Sequence, residues 1–159
     1  MGIGPSTKET TLHHFRDPLV RTIAPDPDID FQGVIVVGTP QDNYLKNLVG
    51  ARAAMMLDSM RANGAIVTAD GWGNSDVDFM NTMTEIDDKG ISVVGMKFIG
   101  QQAGFVVENE LTKFVVDINK SKAGIETTVV GENNLTDKDA QKALGLLKLK
   151  MRHDGQQVQ

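Results

Sequence analysis

Unbroken apolar, β-branched runs alternate along this chain with stretches whose apolar positions recur every three or four residues. That alternation predicts buried strands separated by helices. Gly33 to Gly38, GVIVVG, reads as a fully buried first strand. On Asn43 to Ala62 the residues Leu45, Leu48, Val49, Arg52, Met55, Met56, Ser59 and Met60 share one helical face, interrupted only by Arg52 and Ser59, and Asn63-Gly64 supplies a left-handed stop. Ala65 to Thr68 predicts a second strand. Ser75, with Asp78 three residues on, caps a helix from Asp76 to Asp88 that buries Phe79, Met80, Met83 and Ile86, and Lys89-Gly90 closes it. Ile91 to Gly95 is the third strand. Two successive strand-helix-strand units, each of about 30 residues, imply a parallel sheet with right-handed crossovers.

The flanks are less regular. Asp17-Pro18 suits an N-cap followed by the first helical position, so Pro18 to Ala24 forms a short helix presenting Leu19, Val20 and Ile23. Beyond Gly100, Gly104 to Val107 and Phe114 to Ile118 are strands or flank a short helix around Glu108 to Lys113. Glu126 to Val130 looks extended, and Thr136 with Asp139 opens a final helix reaching about Met151. The expected fold is α/β: one domain of three α/β/α layers, Rossmann- or flavodoxin-like, with a mostly parallel sheet. Residues 1–31 form an arm on it, 32–152 the doubly wound domain and 153–159 a frayed tail.

A length of 159 residues fits one domain with one core. The net charge of −5 argues against nucleic-acid binding, and no apolar run approaches the roughly 20 residues that span a bilayer. Without cysteine there is no disulfide framework or thiolate chemistry, and with no secretory signal the expected compartment is the cytoplasm.

Open parallel sheets bind ligands beyond the carboxyl ends of their strands. The stretch Gly64 to Asp76, GAIVTADGWGNSD, leads there. Its loop is either structural, with Trp72 as a lid and glycines in the turns, or an anion cradle with Asp70 as polar anchor. Thr39 and Asp42 after the first strand, Asp70, Trp72, Asn74 and Ser75 after the second, and Lys97 after the third are the candidate ligand-binding or docking residues. His13, His14 and Arg16 of the arm close over them, Arg16 being suited to grip a carboxylate in bidentate fashion. Adjacent histidines point in different directions, so no metal site is expected. The methionines Met55, Met56, Met60, Met80 and Met83 suit an adaptable buried interface, including one between copies of the chain.

The run Ile3 to Leu19, the segment Val37-Gly38-Thr39-Pro40, the stretch Asp70-Gly71-Trp72-Gly73-Asn74-Ser75, and Val116 to Lys122 resemble the family of glycine/sarcosine/betaine reductase component B and D-proline reductase. So do Gly124-Ile125-Glu126 and Val130 to Asn133. Within that family the chain most resembles the small E-type accessory protein of the D-proline reductase system. The resemblance implies oxidoreductase chemistry in amino-acid fermentation, in which a pyruvoyl group made at an internal cysteine activates the amino acid. A selenocysteine subunit then cleaves the C–N bond, opening D-proline to 5-aminovalerate. No cysteine is present to match, so no catalytic residue is carried over, and Ser6 could serve as a pyruvoyl precursor only by serinolysis. The expectation is a non-catalytic paralogue or accessory subunit with no cofactor of its own, partnering the pyruvoyl and selenoprotein subunits. The alternative is a free-standing domain that binds or senses an amino acid.

Overall fold

The computed structural model describes residues 17–69, 73–97, 105, 107–118 and 135–156. Among them, helix α1 is Pro18–Ile23, α2 Asn43–Ser59, β1 Gly64–Ala69, α3 Asn74–Asp87, β2 Ser92–Lys97, β3 Val115–Asp117 and α4 Asp137–His153. A 3₁₀ turn, Glu110–Phe114, precedes β3. The strands form one parallel sheet in the order β1-β2-β3, with Gly64 opposite Ser92, Ala69 opposite Lys97 and Gly95 opposite Val115. The expected α/β class and parallel sheet are therefore present.

The central strand explains the layering. Every residue of β2, SVVGMK, is buried, and successive side chains serve opposite faces. Val93 joins Ala54, Phe79, Met80, Met83, Ile86 and Leu111 in the layer of α2, α3 and the 3₁₀ turn. Met96 joins Leu19, Ile23, Ala140, Ala143 and Leu144 in the layer of α1 and α4. Gly95 lets α3 approach closely: a Cβ there would lie 2.5 Å from Phe79 Cζ and 2.9 Å from both Met83 Sδ and Val115 Cγ2.

Capping chemistry sets the helix ends. Asp17 Oδ1 accepts from the Leu19 amide at 2.8 Å, with Pro18 in the first turn. Thr136 and Asp139 form a reciprocal capping box on α4. Both caps agree with the sequence reading. The α3 cap differs: Gly73, at φ 71°, occupies the N-cap without a side-chain bond, so Ser75 lies inside the helix instead of capping it. The stop of α2 also moves. Arg61, at φ 57°, takes the left-handed position expected near Asn63-Gly64, while the Arg61 and Ala62 amides close back on the Asp58 and Leu57 carbonyls.

Two expectations are overturned. Among the described residues Gly33 to Gly38 pairs with no strand; the segment is irregular, with Val34 54% and Val36 62% exposed. It leaves a cavity between itself, β1 and α2, lined by Val34, Val37, Ala53, Leu57, Ile66 and Met60 among others. The face of α2 also inverts. The helix packs on α3 through Lys46, Gly50, Ala53 and Ala54, while Leu45, Met55, Met56 and Met60 are exposed. Small residues win that contact because they let the backbones approach: a Cβ on Gly50 would run into the Asn81 side chain.

At the amino end of the sheet the tail is fastened. Asp154 Oδ2 accepts from Ser92 Oγ at 2.7 Å and from Lys150 Nζ at 2.7 Å. Lys150 also reaches Asp87 at 3.2 Å, and Gln156 donates to the Gly90 carbonyl at 2.7 Å. Burial pushes the Asp154 carboxyl up, but hydrogen bonds from Lys150, Ser92 and His153 outweigh it and hold it at about 2. The candidate site lies at the opposite, carboxyl end.

Candidate functional site

The first two turns of α3 bring two carboxylates, Asp76 and Asp78, to the carboxyl edge of the sheet. Asp76 Oδ1 lies 2.6 Å from Nζ of Lys97, the last residue of β2, and the two side chains are only 2% and 1% exposed. Asp78 Oδ2 lies 2.5 Å from Nζ of Lys46 on α2. Strand alternation accounts for the first pair, since Lys97 points to the same side of the sheet as Val93 and Gly95, where α3 lies. The second follows from the inverted α2, which turns Lys46 inward. Removing four charges from water is tolerable only because each is paired.

This geometry revises the picture of Lys97. It was expected to face an open cleft; its ammonium is instead enclosed against Asp76. Asp42 is occupied as the N-cap of α2, accepting from the Leu45 amide at 3.0 Å. Thr39 is exposed on the irregular segment before α2, not at the end of a strand. Asn74 donates from Nδ2 to Gln41 Oε1 at 3.2 Å, which joins the approach to α2 to the start of α3. Ser75 Oγ and Asp78 Oδ1 are buried with no hydrogen-bond partner among the described residues. Asp70, Trp72, His13, His14 and Arg16 lie outside the described residues. Asn74, Ser75 and Lys97 thus gather around the start of α3, and Thr39 and Asp42 come no nearer than the Gln41 link allows.

Sequence reasoning passed over Lys46 as part of the site and treated Asp76 and Asp78 only as helix-start residues. One available signal was Lys46 standing in a turn of α2 otherwise lined by Gly50, Ala53 and Ala54, where a lone cation needs a buried partner. Chemically, the paired charges form a buried polar floor. The orphaned Ser75 hydroxyl beside the helix N-terminus is the group there best placed to donate to a ligand. No described helix is long and apolar enough to cross a membrane.

Comparisons with known proteins agree with the motifs. The chain is 40% identical over 146 residues to the D-proline reductase proprotein PrdA of Acetoanaerobium sticklandii, covering 92% of this chain and 23% of that protein. It is 27% identical over 94 residues to the sarcosine reductase complex component B subunit alpha of Peptoclostridium acidaminophilum, covering 58% of this chain and 22% of the relative. For the betaine reductase complex component B subunit alpha of the same organism the identity is 34% over 68 residues, 43% of this chain and 15% of the relative. The chain therefore spans less than a quarter of the length of these curated relatives. No solved structure matches. The profile of the glycine/sarcosine/betaine reductase component B subunits matches residues 2–147, and the chain belongs to that family.

Proposed function

We propose that the chain serves the D-proline reductase system as a non-catalytic component, which assembles with or assists the subunits bearing pyruvoyl and selenocysteine. The observation that carries this is 40% identity to PrdA over 92% of the chain, in a sequence with no cysteine. Electrophilic catalysis by a pyruvoyl group requires a residue that can become one, and the cysteine precursor has no counterpart in these 159 residues. The closed ion pairs Lys97–Asp76 and Lys46–Asp78 suit a scaffold, since an ammonium held by a carboxylate is not available as a nucleophile. In this reading the protein works in the cytoplasm during amino-acid fermentation, and the reductive ring opening of D-proline occurs on its partners.

The purified chain should show no dithiol-dependent reduction of D-proline, and should co-purify with the reductase subunits. Turnover by the chain alone would overturn the reading. A second reading, a free-standing amino-acid binding domain, draws on the buried unpartnered Ser75 hydroxyl at the start of α3. Calorimetry with D-proline, L-proline, glycine and 5-aminovalerate separates the two. Tight binding without other subunits favours the sensor.

A further inference from the structure

Helix α2 is apolar on two opposite faces, yet only one is covered. Lys46, Gly50, Ala53 and Ala54 are buried against α3, whereas Tyr44 is 72%, Met55 60% and Met56 51% exposed, with Leu45 beside them. At 100° per residue these four, with Leu48 and Arg52, fall within one arc of the helix about 120° wide. A helix apolar all round belongs between two layers, and a soluble surface rarely leaves such a stripe open. From Tyr44 to Met56 the stripe runs for roughly 18 Å at the helical rise.

We infer that this face of α2 docks a reductase subunit through an apolar surface carrying a carboxylate opposite Arg52. The inference rests on the functional reading above and names the surface it uses. Four observations select this occupant. Arg52 sits at the middle of the stripe, is exposed, and has no ion pair among the described residues, so it offers one unmatched positive charge in an otherwise apolar patch. A second copy is disfavoured by symmetry. An antiparallel pairing of α2 with itself would bring the two Arg52 side chains together near the two-fold axis, and like charges facing each other there repel. A membrane surface is disfavoured by charge, since interfacial helices carry several Lys or Arg on the polar side, and Lys46 is consumed by Asp78. The relatives fit a large partner: 77% of PrdA lies outside the matched region, from 23% coverage, so in that protein the domain has extensive further polypeptide against which to bury the same helix.

The test measures binding of the 159-residue chain to purified D-proline reductase by titration, using the wild type, Met55→Glu, Arg52→Glu and Arg52→Lys. Thermal melts confirm folding, which these exposed positions should leave unchanged. Met55→Glu and Arg52→Glu should each weaken binding at least tenfold, while Arg52→Lys keeps it within about threefold because the charge survives. Wild-type binding that all variants share within twofold would overturn the docking surface while leaving the functional reading intact. Absence of wild-type binding would overturn the functional reading and this inference with it. Self-association, or adsorption to anionic phosphatidylserine vesicles, that Met55→Glu abolishes would overturn the inference by assigning the face to a second copy or to a membrane.

Discussion

The buried pair of Lys97 and Asp76 governs what substitutions at the sheet edge will do. Lys97→Met leaves the Asp76 carboxylate buried without its cation and should destabilise by about 3–5 kcal/mol in urea unfolding. The double change Lys97→Met with Asp76→Leu should recover most of that, because an apolar pair avoids the desolvation that the ions incur. Arg61 predicts the opposite sign. A side chain held at φ 57° is strained, so Arg61→Gly should stabilise by about 1 kcal/mol, seen as a melting temperature higher by roughly 2–4 °C. Asp154 gives the pH dependence. Its folded value, about 2, lies below the unfolded value near 3.8, so its contribution is present above about pH 4 and is lost as pH falls toward 2. Asp154→Asn should therefore lower the melting temperature at pH 7 and flatten its fall across that acid range.

Local rules worked for elements whose ends carry their own chemistry. Asp17-Pro18 and Thr136 with Asp139 announce α1 and α4 because the cap needs no tertiary context. Thr136→Ala should accordingly lose about 1 kcal/mol of stability in denaturant titration. The unbroken β2 run announces a central strand for a related reason: a strand covered on both faces needs no polar alternation. Which face of α2 turns inward was not legible. Periodicity marks apolar residues, and the winning contact is made by Gly50, Ala53 and Ala54, whose advantage is closeness instead of hydrophobic area. GVIVVG failed similarly, since its composition satisfies a strand and the segment nonetheless stands beside β1 without pairing among the described residues. At Gly95, where three side chains crowd the missing Cβ, Gly95→Ala should destabilise by about 1–3 kcal/mol through overpacking.

For the molecule as a whole, the sequence located the candidate site at the carboxyl end of the sheet but not its electrostatics. Asn74, Ser75 and Lys97 could be ordered by counting strands and helices. The Lys46–Asp78 pair could not, because it spans 32 residues and depends on the turn of α2 that periodicity misassigned. The family matches the motif reading, and the curated relatives it matches extend well beyond the region this chain covers. The outer edge of β1 has a further meaning for handling the protein. Among the described residues it has no strand partner, and four consecutive β-branched residues, Val34 to Val37, lie beside it across the cavity. Unpaired backbone next to an uncharged β-branched run is a template for cross-β growth. Concentrated purified protein should convert to thioflavin-positive fibrils, and Val36→Lys should delay the onset by placing a charge in the run. Co-production with the proposed reductase partner would then act as a safeguard against aggregation.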